Sequence, residues 1–349
     1  MMEKTYLLID IYNLFFRGVH ATQASTLDEK VGLVLHTMFM MLKKAYTMFE
    51  PDRLVICAEG HNNWRKKIYP KYKANRQEKL DKRTPKEIDE DVALEKAFMT
   101  LLDFFEQHTN TQFLRLTGFE ADDMIARFVN LYPNDRKIIV STDHDFVQLL
   151  SNSNTFIYNG IKEILITPKG IVSTADNATK NKFVEFELKN DGKISVKEIL
   201  ATEQTRLPRP DWIEYAKFCK CVRGDVSDNI MSAYPGCRQK STKTKVGLNE
   251  AYEGRDTQDF NYMTFMNTKW DAPDGEHIVK NDLKFNETLI DMNKIPEEYK
   301  NQIDNYILNY PEKESINDLS FQLKRFFGKY QLERLKDYYS TFITMLIKK

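Results

Sequence analysis

Carboxylate side chains cluster most densely just after Gly118 and Phe119. Glu120, Asp122 and Asp123 place three acids within four positions. An apolar helical pattern begins directly after them, and acids are favoured at a helix start because the helix dipole attracts negative charge. The dipole alone does not account for three neighbouring carboxylates, which repel one another. Such a cluster is either fully solvated or held near cations.

Apolar runs rich in β-branched residues come just before acids along the first half of the chain. The runs cover residues 6–9, 54–58, 113–116 and 138–142. Helical periodicity alternates with them, over residues 34–49, 94–105 and 124–131. Strand and helix in alternation predict a parallel sheet with right-handed crossovers, so that the carboxyl ends of the strands share one edge.

Acids at the ends of these strands are therefore expected to converge on that edge. They are Asp10, Glu59, Glu120, Asp122, Asp123, Asp143 and Asp145. So many carboxylates require counter-charge at neutral pH, and a hard divalent metal ion suits oxygen ligands best. A plainer interpretation of the first strand end is a polar terminus whose helix is capped by Asn13. The alternative is that Asp10 ligates metal and Arg17 faces an anion.

Asp225 and Asp228 form a further pair, on a turn that follows a helical stretch over residues 212–221. Two carboxylates at this spacing can reach one ion or one pocket. A calcium-binding loop needs more oxygens at regular spacing, so that interpretation is weak.

Residues 61–87 form the most strongly biased segment. Between Arg65 and Lys86 there are ten basic residues and two acids, and Trp64 and Tyr72 are among the interleaved aromatic residues. A charged run is usually a solvated loop. This one follows a strand end and so lies on the rim that carries the acids. Basic and aromatic side chains there suit a phosphate backbone with stacked bases.

A second basic turn contains Lys240, Lys243 and Lys245 among hydroxyl-bearing residues, just before a predicted helix. Such a turn can bind phosphates through backbone N–H groups and lysine side chains. Taken alone, it is equally an exposed loop.

The composition favours a globular, cytosolic protein. The chain of 349 residues is 42% apolar and 29% charged, and its 51 basic and 51 acidic residues balance, so net charge indicates no partner. The four cysteines lack zinc-ligand spacing, which fits a reducing compartment. The N-terminus lacks a signal-peptide layout, and no apolar stretch is long enough to span a bilayer.

Hairpins and a helical tail are predicted beyond the α/β part. The residues at 159–160 indicate a type I′ turn, and those at 190–192 a second hairpin. Residues 256–281 are polar and irregular in composition, with a loop predicted at 271–275, and the tail from Pro296 is predicted to be helical.

Motif segments occur in a fixed order along the chain, from residue 6 to about residue 250. They are 8–10 with Asn13 and Arg17, then 69–76, 118–123, 141–146 and 223–229. In this order they resemble the structure-specific 5′-nuclease (flap endonuclease) superfamily, and most closely the ribonuclease H-type 5′-to-3′ exonucleases of T-even-like bacteriophages. Each motif alone is moderately specific, whereas the ordered set is highly specific.

The resemblance implies two magnesium ions, for which manganese can substitute. It places Asp10, Glu120, Asp122 and Asp123 around one ion, and Asp143, Asp145, Asp225 and Asp228 around the other. It implies that Lys73 and Arg76 contact the scissile phosphate, so the catalytic set is Lys73, Arg76, Asp10, Asp123 and Asp145. Tyr72 would stack on a terminal base, and residues 61–90 would form a helical arch beside or through which the 5′ strand passes. The full set of expected nucleic-acid contacts is Arg17, Trp64, Arg65, Lys66, Tyr72, Lys73, Arg76, Lys240, Lys243 and Lys245.

Two departures from the family pattern matter. The family has an aspartate near the end of the second strand, where this chain has Cys57-Ala58-Glu59; either Glu59 substitutes as a ligand or Cys57 occupies the family position. The helix-hairpin-helix that the family carries has lost its glycine repeat between residues 235 and 247, which puts potassium binding there in doubt.

The expected fold is α/β: a PIN-like, mostly parallel sheet flanked by helices, with a basic arch and a helical C-terminal region containing a degenerate helix-hairpin-helix. The expected divisions are a nuclease domain over residues 1–168, an inserted hairpin or loop over 169–210, and a DNA-binding region over 211–349.

The expected function is metal-dependent 5′-to-3′ exonuclease and flap endonuclease activity on DNA and RNA–DNA hybrids, removing RNA primers or 5′ flaps during phage DNA replication. The chain would act as a monomer, in host cytoplasm if phage-encoded, with a single-stranded DNA-binding protein or a sliding clamp as candidate partners and no membrane. The alternatives are a non-catalytic protein that binds branched DNA, a PIN-type single-strand ribonuclease, and a phosphatase acting on small phosphoesters.

Overall fold

The computed structural model describes residues 3–152, 154–174, 182–188, 194–200, 209–311, 313, 316 and 318–348. The strands of its main sheet are β1 Thr5–Asp10, β2 Arg53–Cys57, β3 Gln112–Leu114, β4 Arg136–Val140, β5 Thr155–Asn159, β6 Ile164–Thr167 and β7 Gly170–Ser173. They are ordered β3-β2-β1-β4-β5-β6-β7. The strands from β3 to β5 pair in parallel, and β6 and β7 extend the sheet antiparallel. The predicted, mostly parallel sheet is confirmed.

The helices are α1 Ile11–Ala21, α2 Leu27–Phe49, α3 Trp64–Ile68, α4 Ala74–Leu80, α5 Pro85–His108, α6 Ala121–Leu131, α7 Trp212–Arg223, α8 Leu248–Glu253, α9 Phe260–Met266, α10 Val279–Ile290, α11 Glu297–Leu308, α12 Leu319–Lys329 and α13 Tyr339–Ile347. Turns of 3-10 helix span His144–Ser151 and Glu333–Tyr338. In the described part of the chain, no helix combines the length and apolar character needed to cross a membrane.

The central strand β1 is buried on both faces, as a parallel strand between two helix layers must be. Leu7 packs into a core with α2 and α5, whereas Leu8 on the opposite face packs against α6. The chain continues from β1 toward β2 and β3 on one side and toward β4 on the other. The ends of β1 and β4 therefore border the switch point where ligands bind in open α/β sheets.

The C-terminal helices α12 and α13 pack against the N-terminal layer. Phe39 of α2 contacts four rings, with centroid distances of 6.2 Å to Phe105, 5.9 Å to Phe326, 5.3 Å to Phe327 and 5.3 Å to Phe342. This aromatic cluster joins helices that are far apart in sequence.

The predicted hairpins differ from the structure in their turns. β5 and β6 pair with Asn159 opposite Ile164, so a four-residue connection replaces the expected two-residue turn. Strands β8 Lys182–Leu188 and β9 Ile194–Leu200 pair antiparallel as expected, and the predicted turn at 190–192 lies outside the described residues. The loop predicted at 271–275 contains the turn of a hairpin of β10 Lys269–Ala272 and β11 Gly275–Ile278, and helix α9 precedes this hairpin within the polar segment 256–281.

Phe39→Ala is expected to lower the free energy of unfolding by about 3–5 kcal/mol, because it opens a cavity between four rings. The matched variant Phe321→Ala removes a ring of α12 that is 65% exposed, and should change stability by less than about 0.5 kcal/mol. Urea unfolding of both variants checks this. Equal losses would show that the ring cluster does not hold α12 and α13 in place.

Candidate active site

Asp10 lies at the carboxyl end of β1 and caps α1. Its Oδ1 accepts a hydrogen bond from the backbone N–H of Asn13 at 3.1 Å, and its Oδ2 accepts one from the Ser141 hydroxyl at 3.0 Å. Ser141 follows β4, so these bonds hold two adjacent strand ends together. The pKa of Asp10 is raised to about 7, mainly by burial and in part by the nearby carboxylates of Asp143 and Glu59, which together outweigh the opposing effect of its two hydrogen bonds.

Asp122, in the first turn of α6, faces the same point. Burial raises its pKa well above the usual range, and the carboxylates of Asp10 and Asp143 add to the shift. No donor among the described residues hydrogen-bonds to the Asp122 carboxylate. Asp10 and Asp122 thus form an acidic pair without a cation in contact.

Glu59 rather than Cys57 is turned toward the acids. Burial raises the pKa of Glu59; Lys73 opposes the shift and the carboxylate of Glu120 adds to it. Cys57 is the last residue of β2, pairs in register with Asp10, and is fully buried in the core beneath α6. Burial raises the pKa of this thiol well above its usual value, so Cys57 is a neutral core residue.

Glu120 caps the N-terminus of α6 and binds cations of the protein itself. Its carboxylate pairs with the Lys73 ammonium, and its Oε2 accepts hydrogen bonds from Arg65 Nη1 at 3.1 Å and from the Tyr72 hydroxyl at 2.9 Å. Burial alone would raise the pKa of Glu120, but Lys73 and Arg65 outweigh it and lower the pKa to about 2.

The expectation that Asp123 ligates a metal ion conflicts with its position. Asp123 is fully buried and receives Arg65 Nη2 at 2.8 Å on Oδ1, with Arg65 Nη1 at 3.0 Å and Trp64 Nε1 at 3.1 Å on Oδ2. Neighbouring helix residues point about 100° apart, so Asp122 and Asp123 cannot face one ion together. We therefore interpret Asp123 as a structural anion that anchors α3.

Three residues expected to contact nucleic acid are buried instead. Trp64 is 0%, Arg65 4% and Tyr72 3% exposed. Their polar atoms bind the carboxylates of α6, which leaves no free ring face for a stacked base. Lys66 of the same segment is exposed, as the prediction requires.

A second group of acids lies beside the first. Asp143 follows the end of β4, and its Oδ1 accepts the backbone N–H of Asp145 at 2.9 Å. The pKa of Asp145 is raised to about 6, because burial, with a smaller contribution from Asp143, outweighs the lowering effect of Lys220. Asp225 accepts the Ser227 N–H at 2.8 Å and the Ser227 hydroxyl at 2.6 Å.

Lys220 connects Asp145 with Asp225 and was not predicted from the sequence. It lies in the last turn of α7, forms an ion pair with Asp145, and approaches Asp225 Oδ2 at 3.0 Å. Burial disfavours the Lys220 ammonium, but the two aspartates outweigh this and raise its pKa. The available sequence signal was a lysine five positions before an acidic turn, which is too common to be specific.

The Asp228 carboxylate contacts side chains of the basic segment rather than those of the Asp145 group. Its Oδ1 accepts Arg76 Nη2 at 2.9 Å, its Oδ2 accepts the Tyr72 hydroxyl at 2.9 Å, and Lys73 Nζ lies 3.8 Å away. Of the four ligands expected around a second ion, Asp145 and Asp225 therefore pair with Lys220 and Asp228 pairs with Arg76, whereas Asp143 forms no ion pair with a described residue.

The arch base, which we define as residues 69–76, is hydrogen-bonded to the turn at 225–229. Lys73 N donates to Asp228 O at 2.9 Å, Asn75 Nδ2 to Val226 O at 2.8 Å, and Asn229 Nδ2 to Lys71 O at 2.7 Å. The arch base is thus held against the turn that carries Asp225 and Asp228.

The remaining predicted contacts lie around this centre. Arg17 donates from Nε to the Thr142 hydroxyl at 2.8 Å, next to the end of β4. Lys240, Lys243 and Lys245 are exposed on the loop between α7 and α8, where Thr242 N bonds to Lys245 O at 2.8 Å.

The donor set suits a hard divalent cation, because it consists of carboxylate oxygens whose charges are incompletely balanced. Within the described residues, no three acidic, histidine or cysteine side chains are arranged to hold one ion as they stand. Lysine and arginine groups lie between the acids instead. Among the described residues, Asp10, Glu59, Asp122 and Asp143 form no such ion pair and are the acids most open to a metal ion.

A family model described as the 5′-3′ exonuclease, N-terminal resolvase-like domain, matches residues 5–180. A 5′-3′ exonuclease of Bacillus subtilis is 26% identical over 261 residues, which is 72% of this chain and 72% of that protein. The flap endonuclease of Escherichia phage T5 is 30% identical over 154 residues, 43% of this chain and 50% of that protein.

The fold has solved counterparts. A phage T5 flap endonuclease variant, crystallised with DNA and metal ions, superimposes with a TM-score of 0.56 at 16% identity, covering 87% of this chain and 98% of that one. This likeness shows the fold. Because the family model covers half of the sequence, from β1 past β7, the chain belongs to the 5′-3′ exonuclease family with an N-terminal resolvase-like domain.

Proposed function

We propose that this 5′-nuclease hydrolyses phosphodiesters near the 5′ ends of DNA, including 5′ flaps, and of RNA in RNA–DNA hybrids. The observation that carries the proposal is the acidic pair of buried Asp10 and half-buried Asp122 at the switch point. Neither forms an ion pair among the described residues, and the basic segment that carries Lys73 lies beside them. The names of the relatives, an exonuclease and a flap endonuclease, support this substrate class.

Magnesium is the proposed cofactor, with manganese as a substitute. Asp10, Asp122 and Glu59 would hold a first ion, and Asp145 and Asp225 a second. Asp143 acts on Asp10, Asp122 and Asp145 and could serve either ion, and Glu120 and Asp228 would become available once their cations move. When bound, such ions activate a water molecule and offset charge on the leaving oxygen.

The basic residues of the arch base would bind the substrate. Arg76 has a side chain that is 53% exposed and can reach a phosphate while it pairs with Asp228. Lys73 is mostly buried and pairs with Glu120 and Asp228. Its ammonium can therefore compensate negative charge that develops on a phosphoryl group. Lys240, Lys243 and Lys245 would contact duplex backbone at a distance from the reacting bond.

A non-catalytic binding protein is the weaker alternative, because it has no use for a buried, unbalanced acidic pair. A single-strand ribonuclease leaves the lysine-rich loop after α7 without a role. The action of the protein as a monomer, and a single-stranded DNA-binding protein or sliding clamp as its partner, stay predictions from the sequence.

Cleavage assays test the proposal directly. Substrates labelled at the 5′ end, namely a flap, a nick and an RNA–DNA hybrid, are incubated with Mg²⁺ or with chelator. Short 5′ products that form only with Mg²⁺ are expected. Products that form equally in chelator, or from a 3′ label only, would refute it.

Asp122→Asn and Asp123→Asn should have opposite effects. Asp122→Asn removes a repelling charge, so we expect an unchanged or higher melting temperature and a loss of cleavage of at least about 100-fold. Asp123→Asn leaves Arg65 without its buried partner and should cost about 3–5 kcal/mol of stability.

Thermal melts and single-turnover rates of these two variants check this prediction. If Asp123→Asn keeps full stability and loses cleavage, Asp123 is a ligand after all and our structural interpretation of it is wrong.

The stability of the metal-free protein should fall as pH rises toward neutral. The pKa of Asp10 is about 7 in the folded protein against 3.8 for a free aspartate, so the folded state binds more protons between these values. Its contribution is fully present below 3.8 and is lost as pH rises through about 7. Because metal favours the ionised carboxylate, Mg²⁺ should remove this loss.

Urea midpoints measured from about pH 5 to pH 8, with chelator and with Mg²⁺, give the comparison. Asp10→Asn is the matched control and should flatten the chelator curve. A midpoint that rises with pH in chelator would contradict the assignment of Asp10 and Asp122 as an unbalanced pair.

Lys73→Ala should lower the cleavage rate by about 100-fold with little change in duplex affinity. Lys243→Ala should instead weaken duplex binding and reduce the slope of log affinity against log salt concentration by about 1. The cleavage rate at saturating protein should stay unchanged. Single-turnover rates and salt-dependent affinities separate the two. If both variants lost the same fraction of the cleavage rate, Lys73 could not be assigned to the reacting phosphate and Lys243 to the duplex backbone.

A further inference from the structure

The two acidic groups differ in how the protein itself compensates them. No described cation contacts Asp122, whereas Lys220 pairs with Asp145 and lies 3.0 Å from Asp225. The Lys220 side chain is 17% exposed, so the pair is shielded from water on most sides. The ammonium therefore lies between the oxygens that a second metal ion would share.

We propose that Lys220 is a displaceable counter-ion of the second acidic group, Asp145 with Asp225. It holds the two carboxylates together when no divalent ion is bound there, and it leaves when an ion binds. It thereby weakens metal binding at this group relative to the pair of Asp10 and Asp122. This inference rests on the proposed function, which supplies the metal.

Steric and electrostatic exclusion make the competition necessary. Magnesium binds carboxylate oxygens at about 2.0–2.1 Å, and an ammonium already in contact with both Asp145 and Asp225 occupies that space. Two positive charges at such distances also repel strongly where water is largely excluded. The ammonium and the ion cannot occupy the group together, so their affinities are linked.

The side chain and its position suit a group that moves. Lysine carries a compact charge on a flexible four-carbon stem, and it can turn away without disturbing a planar pair of hydrogen bonds. Lys220 lies in the last turn of α7, whose cap at Gly224 leads directly into the turn with Asp225. One helix end therefore supplies both the counter-ion and one of the carboxylates.

Titration calorimetry of Mg²⁺ into the DNA-free protein tests the proposal. Lys220→Met keeps most of the length and removes the charge, and it should tighten the weaker binding event by about tenfold or more. Lys220→Arg restores the charge and should bring the affinity back toward the wild-type value. Lys217→Met is the matched control, because Lys217 lies one turn earlier on α7 and pairs with Glu214 and Asp291 instead.

The same variants should differ in thermal stability. Without metal, Lys220→Met leaves two carboxylates to repel each other and should melt below the wild type. Mg²⁺ should raise its melting temperature by more than it raises that of the wild type or of Lys217→Met. Unchanged or weaker Mg²⁺ affinity in a folded Lys220→Met variant would overturn the proposal.

A measurement on Lys220 in the wild-type sequence keeps the test independent of the stability of Lys220→Met, because dimethylation preserves the positive charge of lysine. Lysines are dimethylated with ¹³C, and the Lys220 signal is identified as the one lost in Lys220→Arg. The signal should move toward that of exposed lysines as Mg²⁺ is added, and a signal that stays unchanged at saturation overturns the proposal. If the wild-type protein takes up no Mg²⁺ at all, the proposed function fails with it, whereas normal uptake with no effect of Lys220 refutes this inference alone.

Discussion

Charge balance along the carboxyl edge of the sheet is the constraint on which the rest of the structure depends. A parallel sheet brings the ends of β1 and β4 and the start of α6 together, and with them their acids. Buried carboxylates are costly unless they are paired. Cations from elements that are distant in sequence pair with most of these acids; they are Arg65, Lys73, Arg76 and Lys220.

These pairs explain why the arch is fixed to the site rather than free above it. Arg65 and Trp64 anchor α3 on Asp123, and Tyr72 bridges Glu120 and Asp228. A substrate phosphate that draws Lys73 or Arg76 away from its carboxylate leaves that carboxylate for a metal ion. Binding of nucleic acid and binding of metal are thus expected to support each other through the same ion pairs.

The sequence predicted those features that follow from local periodicity. Alternating strand and helix patterns located the parallel sheet, and the strand ends then located the acids. Periodicity could not show which acid meets which cation, because the contact of Arg65 with Asp123 spans 58 positions of the chain. The sequence could also have separated two of the acids, because Asp122 and Asp123 are consecutive in a helix and their side chains point in different directions. The hairpin at 269–278 was missed because its short strands alternate weakly and carry several charges.

The incomplete compensation of Asp10 and Asp122 also bears on whether the chain still cleaves its substrate. Most of the nearby acids are paired with a lysine or an arginine, so suitable cations are evidently available to this fold. Among the described residues, Asp10 and Asp122, like Glu59 and Asp143, form no such ion pair, although an asparagine would relieve the cost of a charge there. A protein that only bound branched DNA would have no need of these uncompensated carboxylates. Their presence, with Cys57 beside them as a neutral core residue, is the pattern expected when an incoming divalent ion completes the charge balance.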